Sequence, residues 1–237
     1  MQDVTVDLDR RAELEANLVD VRRRIASAVT ASGRSVDSVQ LVVVTKTWPA
    51  SDVRLLAGLG VTDVGENRDQ EAAPKASAVR DLQLTWHFVG QLQSNKARSV
   101  ATYADVVESV DRVRLVTALD RAAEQAERRL RCLVQVGLDP VPGRGGAAPG
   151  DVASVAEAVA ASHCLDLAGL MAVAPLDADP DEAFARLADL AAQFRQQHPT
   201  AEVLSAGMSH DLEPAIAHGA THVRVGSAVL GPRGIVR

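Results

Sequence analysis

The chain has 237 residues, with 25 Lys and Arg against 31 Asp and Glu, for a formal net charge of −6. That balance argues against general nucleic-acid binding, which needs a basic face, and no apolar run approaches the length of a membrane span. Hydrophobic residues make up 47% and aromatic ones only 3%, so Ala, Val and Leu must fill the core of what reads as one domain over residues 1–237.

In chain order, the N-terminus Met1-Gln2-Asp3-Val4 lacks a basic region followed by an apolar core, so no secretory signal is expected. A helix is predicted over residues 8–32, with Leu14, Leu18, Val21 and Ile25 on one face and Gly33 as its stop. It makes residues 1–33 a flanking element. The run Leu41-Val42-Val43-Val44-Thr45 lies in a strand over 40–45, and Lys46 closes it. Strands then alternate with amphipathic stretches: strands at 62–64, 85–89, 105–108, 132–137, 166–171, 202–204 and 222–225, and helical patterns at 51–59, 68–79, 94–101, 111–130, 151–162, 180–198 and 209–218. Residues 140–150, rich in Gly and Pro and including Arg144, read as one long loop after the fifth strand. Cys132 and Cys164 lie far apart in apolar stretches without metal-ligand spacing, as small buried hydrophobes of a reducing, cytoplasmic compartment do.

Strands alternating with helices imply right-handed βαβ units and a parallel sheet. Eight units in this length predict an α/β fold, a single closed (β/α)₈ TIM-type barrel with an extra N-terminal helix. A doubly wound open sheet obeys the same local rules, but no Gly-x-Gly-x-x-Gly follows the first strand. In such a barrel the functional groups gather after the strand C-termini, and the chemically suspicious residues all fall there. Lys46 ends the first strand, where a partly desolvated amine titrates low and can condense with an aldehyde; a surface lysine with its head in water is the plain alternative. Gly65-Glu66-Asn67 follows the second strand and His87 ends the third. Ser205-Ala206-Gly207-Met208-Ser209 and Arg224-Val225-Gly226-Ser227 follow the seventh and eighth, where turns and hydroxyls can bind an anion. Ser209 reads as a helix N-cap, with Asp211 and Glu213 in the first turn. Arg224 points into the barrel mouth, toward a phosphate, carboxylate or pyridine nitrogen, or toward a barrel carboxylate such as Glu66.

These segments resemble the pyridoxal phosphate homeostasis protein family, whose barrel is like the N-terminal domain of alanine racemase (pyridoxal phosphate fold type III). The resemblance rests on Val43-Val44-Thr45-Lys46, Gly65-Glu66-Asn67 with Gln70-Glu71, Trp86-His87-Phe88-Val89-Gly90 with Leu92-Gln93-Ser94-Asn95-Lys96, Gly169-Leu170-Met171, Leu204-Ser205-Ala206-Gly207-Met208-Ser209, and Val223-Arg224-Val225-Gly226-Ser227-Ala228. It implies that Lys46 binds pyridoxal 5′-phosphate as a Schiff base and that Ser209, Gly226 and Ser227 cradle the phosphate. It further implies that Arg224 faces the pyridine nitrogen and Asn67 lies beside the cofactor, with His87 and Ser205 lining the same mouth. Three positions depart from the family pattern: Arg68 where an aromatic is frequent, Gln91 for a proline, and Arg144-Gly145-Gly146 for a lysine-x-glycine.

The implied function is a non-catalytic pyridoxal phosphate carrier in vitamin B6 homeostasis. Apo-forms of cofactor-requiring enzymes are possible partners, and a monomer is expected. An arginine cannot readily release a proton, so it leaves the pyridine nitrogen unprotonated and weakens the ring as an electron sink. Alanine racemase also uses a tyrosine from a second domain; the only tyrosine here is Tyr103, assigned to a mid-chain helix, and no second domain is expected after the barrel. A small racemase or lyase dependent on the same cofactor, with His87 as base, is the alternative. A barrel enzyme whose Lys46 captures a sugar phosphate is a third reading.

Overall fold

The computed structural model describes residues 2–138 and 145–232. Among them, eight strands alternate with helices: β1 (Gln40–Val44), β2 (Asp63–Glu66), β3 (Thr85–Phe88), β4 (Val106–Val110), β5 (Leu130–Val136), β6 (Leu165–Ala172), β7 (Val203–Ser205) and β8 (His222–Val225). Every neighbouring pair is parallel, in chain order, and β8 returns to pair with β1. The chain forms the (β/α)₈ barrel expected of it. The helices are α1 (Gln2–Ala31), α2 (Ala50–Gly58), α3 (Asp69–Ala78), α4 (Ala97–Val100), α5 (Val113–Gln125), α6 (Val152–Ala160), α7 (Pro180–Gln197), α8 (Leu212–Ala217) and α9 (Ser227–Leu230). No helix among the described residues is long and apolar enough to cross a membrane.

Alternation along the strands divides the core in two. Outward-facing Val43, Val64, Val223 and Val225 join the helices in a large apolar layer, while Val106, Leu133 and Met171 form a small cluster inside the barrel. Val42 and Val44 face inward against Gly65, where an added Cβ would stand 3.3 and 3.2 Å from their methyl carbons. The rest of the interior is polar, and the site is built on it.

Helix α1 starts earlier than predicted and presents Leu14, Leu18, Val21, Ile25 and Val29, all buried, to the outer layer. Their spacing of three and four residues keeps them on one face. They pack with Leu212 and Ile216 of α8, Val229 and Leu230 of α9 and Val53 and Leu56 of α2. Polar contacts fix the helix axially: Arg24 makes a two-pronged pair with Glu213 (2.7 and 2.9 Å), and Asn17 donates to the Val229 carbonyl (2.9 Å). Gly33 ends the helix at φ 69°, as expected, with the Arg34 N–H returning to the Val29 carbonyl.

Several boundaries move. The fifth helix stops at Gln125, not near 130, because Glu127 adopts φ 53° and the Arg128 N–H closes on the Ala123 carbonyl. This frees Leu130 to begin β5, whose N–H pairs with the Cys164 carbonyl. Residues 94–101 split into a 3₁₀ turn (Ser94–Lys96) and the short α4, and Tyr103 lies in the turn beyond α4, not on a helix. Cys132 is buried, and Cys164 only half so. Residues 140–144 of the expected loop, Arg144 among them, lie outside the described residues; within the rest, Ala147 bridges to Val136 and Pro149–Asp151 form a 3₁₀ turn.

Leu18 is 1% exposed in the seam between α1 and the barrel layer. Leu18→Ala should lower unfolding free energy by about 3 kcal/mol, within the range for buried leucines, as read from urea titrations.

Candidate functional site

A cavity of about 330 Å³ opens at the C-terminal ends of the strands, a size suited to a small ligand. Lys46, Asn67, Ser209, Arg224, Gly226 and Ser227 all line it. So do Val44, Trp48, Val89, Val173, Met208, His210 and Gly231. The first group holds six of the eight site residues read from the sequence.

Closure of the barrel accounts for this gathering. Val42 pairs with Arg224 and Val43 with Val225, so the chain leaving β1 runs beside the chain leaving β8. The strand ends at Val44, and Lys46 sits in the turn beyond it, half-buried, instead of on the strand itself. The next residue, Thr47, has φ 70°. A β-branched residue in this left-handed region costs on the order of 1–3 kcal/mol and persists only where its surroundings impose it.

The phosphate-side turns differ from the expected arrangement. Ser209 is not an N-cap: α8 begins at Leu212, and the Asp211 carboxylate instead accepts from the Met208 N–H (2.6 Å). Such local capture of a backbone donor competes with the helix and delays its start. Ser209 Oγ accepts from the Ala228 N–H (3.3 Å), tying this turn to the first turn of α9. Gly207 at φ 89° lets the turn lie on α8, where an added Cβ would come within 2.6 Å of the Ala215 Cβ. The acidic side chains nearby are occupied elsewhere, Asp211 with Met208 and Glu213 with Arg24. Two hydroxyls, a glycine turn, an amine and a guanidinium therefore share the cavity wall, a donor set suited to an anion bearing a carbonyl.

His87 and Ser205, expected at the same mouth, are absent from the cavity wall; both are buried among the strands beneath it. There a chain of alternating charge crosses the barrel. His87 Nε2 lies 3.0 Å from Asp63 Oδ1 and His87 Nδ1 lies 2.7 Å from Glu108 Oε1. The other Glu108 oxygen accepts from Ser205 Oγ (2.6 Å), which in turn accepts from Arg224 Nη1 (2.6 Å). Arg224 Nη1 stands 3.6 Å from the Glu108 carboxylate, and Nη2 donates to the Ala172 carbonyl (2.8 Å). Glu108, not Glu66, is thus the partner of Arg224. Glu66 accepts from Thr45 Oγ1 (2.6 Å) and pairs with Lys75.

The ionisation states follow. Burial pulls the His87 pKa down, but hydrogen bonds to Asp63 and Glu108 and their charges outweigh it and raise it to about 9. Burial pushes Glu108 up, and His87, Arg224 and Ser205 outweigh that and lower it to about 2. The Arg224 pKa is lowered by burial from a value so high that the group stays charged. His222, with its ring 6.3 Å from that of His87, is lowered by burial to about 4 and stays neutral.

Glu108, Asp63 and Lys75 were missed in the sequence. For Glu108 the signal was present: one carboxylate within Val106-Val107-Glu108-Ser109-Val110 cannot be buried without a cationic partner.

Comparison with known proteins accords with this architecture. Residues 13–234 match the family described as alanine racemase, N-terminal domain. The pyridoxal phosphate homeostasis protein of Mycobacterium tuberculosis is 46% identical over 250 residues, covering 98% of this chain and 97% of its own. The chain belongs to the pyridoxal phosphate homeostasis protein family. The Escherichia coli K12 member is 35% identical over 227 residues, covering 93% of this chain and 97% of its own. Among solved structures, PipY of Synechococcus elongatus PCC7942 with pyridoxal phosphate bound superposes with a TM-score of 0.81 at 35% identity, covering 92% of this chain and all of PipY (100%).

The His87 shift sets a pH dependence. A folded-state pKa raised from 6.5 to about 9 contributes stability that is whole below pH 6.5 and lost as pH rises through 9. Urea titrations across that window should show a loss of roughly 3 kcal/mol, and His87→Gln should remove this dependence.

Proposed function

We propose that this chain holds pyridoxal 5′-phosphate as a Schiff base on Lys46 and serves vitamin B6 homeostasis as a carrier without catalytic turnover. One observation carries the reading: Lys46, Asn67, Ser209, Arg224, Gly226 and Ser227, drawn from four βα units, line one cavity. Membership of the family and the cofactor-bound PipY structure support it. When bound, the cofactor supplies an aldehyde for capture by an amine and a pyridine ring as an electron sink. Lys46, on the cavity wall, would hold the cofactor through its ε-nitrogen, with water released on condensation. Ser209, Ser227 and the Gly226 turn hold the phosphate with hydroxyl and backbone donors. Arg224 faces the ring nitrogen as a fixed cation, because Glu108 and Ser205 secure its charge and orientation. A cation there gives no proton to the ring, so carbanion chemistry is disfavoured. His87 is a buried imidazolium between two carboxylates, and Tyr103 Oη lies 3.5 Å from Asp69 with its pKa raised by burial. Neither lines the cavity. The carrier works as a cytoplasmic monomer, with apo-forms of cofactor-requiring enzymes as recipients.

A second reading, a small racemase or lyase using the same cofactor, is favoured by one residue. His210 lines the cavity and offers an exposed imidazole as the second acid/base.

After incubation with pyridoxal phosphate, the protein should gain a visible absorption band, and borohydride should fix the label on the Lys46 peptide. Lys46→Ala should lose both. A colourless wild-type protein, or label on another lysine, overturns the reading. Interconversion of D- and L-amino acids that both Lys46→Ala and His210→Ala abolish would establish the second reading instead.

A further inference from the structure

The peptide groups on both sides of Lys46 are held from the next βα unit. On the N-terminal side, Lys75 Nζ donates to the Thr45 carbonyl (2.9 Å), and Thr45 Oγ1 donates to Glu66 Oε1 (2.6 Å). Lys75 and Glu66 pair with each other, one 7% and the other 0% exposed. On the C-terminal side, Glu71 Oε2 accepts from the Thr47 N–H (3.0 Å). Between these clamps the backbone turns through the left-handed conformation of Thr47, one of two non-glycine residues with positive φ among those described.

The cost of this arrangement points to a task beyond packing. A buried Lys–Glu pair can often be exchanged for well-packed apolar residues without loss of stability, so packing alone does not call for one. Glu66 also keeps its second carboxylate oxygen buried without a hydrogen-bond partner in the protein, burial of a kind that native structures rarely tolerate without a purpose. Glu71 and Lys75 are four residues apart on α3 and so share one face, turned toward the Lys46 turn.

We infer that Glu66, Lys75 and Glu71 are positioning residues for Lys46: they clamp the flanking peptides, impose the left-handed turn at Thr47, and thereby aim the lysine amine into the cavity. The inference rests on the reading of Lys46 as the residue that takes the cofactor. None of the three lines the cavity with Lys46, so their effect is exerted through the backbone. Glu71 is the experimental handle, because its half-exposed side chain makes its loss tolerable to the fold.

The test uses the full chain as wild type, Glu71→Ala, Glu71→Gln and the paired Glu66→Gln/Lys75→Met. For each, the rate of condensation with pyridoxal phosphate is followed by absorbance. Borohydride trapping with peptide mapping identifies the lysine, trace acetylation without cofactor reports the reactivity of Lys46, and thermal unfolding reports the fold. Glu71→Ala and the paired variant should slow condensation at Lys46 about tenfold, the scale of a small misplacement of a reacting group. Lys46 acetylation should change in both while the unfolding midpoint stays close to wild type. Glu71→Gln keeps an acceptor for the Thr47 N–H and should restore most of the rate. Wild-type rates in Glu71→Ala and the paired variant would overturn the inference and leave the Lys46 reading intact. A midpoint that falls in step with the rate in every variant would make the network merely structural and overturn it too. Wild-type protein trapped at a lysine other than Lys46 would defeat the reading of Lys46, and the inference with it.

Discussion

The pairing of β8 with β1 is the constraint from which the site follows. With Val42 opposite Arg224 and Val43 opposite Val225, the turn carrying Lys46 and the turn carrying Gly226 and Ser227 emerge side by side. A sheet left open at this seam would separate them by the full width of the strand array. Parallel closure also sends every strand C-terminus to one rim, so Asn67 after β2 and Ser209 after β7 reach the same cavity. Register, not local sequence, makes these residues neighbours.

Beneath the cavity, the interior uses charge where many barrels use branched aliphatic layers. Asp63, His87, Glu108 and Arg224 alternate in sign, and each bears hydrogen bonds that offset part of its desolvation. Removing His87 or Glu108 leaves an end member, Asp63 or Arg224, buried without its paired charge, at a cost of about 3–5 kcal/mol. The chain thus makes the orientation of Arg224 a property of four strands together. It also explains why His87, chemically the most reactive group by its residue type, is chemically quiet here: both its nitrogens are taken and its proton is held.

Much of this was legible in the sequence. The β/α alternation fixed the barrel because periodicity reports burial directly, and a lysine at the end of an apolar run announced itself by its incongruity. What the sequence concealed is long-range. Lys75 looks like an ordinary surface lysine of α3, and only its approach to Thr45 and Glu66 shows otherwise. His87 and Ser205 were placed one layer too high, since strand alternation tells which face a residue takes but not its depth along the barrel axis. Ser209 followed by acidic residues carries an N-cap signature, yet Asp211 captures the Met208 N–H first. The early end of α5 had no glycine or proline to mark it, because Glu127 adopts the left-handed conformation itself.

Helix α1 carries a consequence for the order of assembly. Its buried face meets α8 and α9, and Asn17 bonds a carbonyl 212 residues further along the chain. During synthesis from the N-terminus, the helix leaves the ribosome long before the residues that cover Leu14 and Leu18 have been made. Val53 and Leu56 of α2 can cover part of its apolar stripe early, but the contacts with α8 and α9 form only once the last βα unit has been made. A ribosome stalled before that point would present the rest of the stripe exposed.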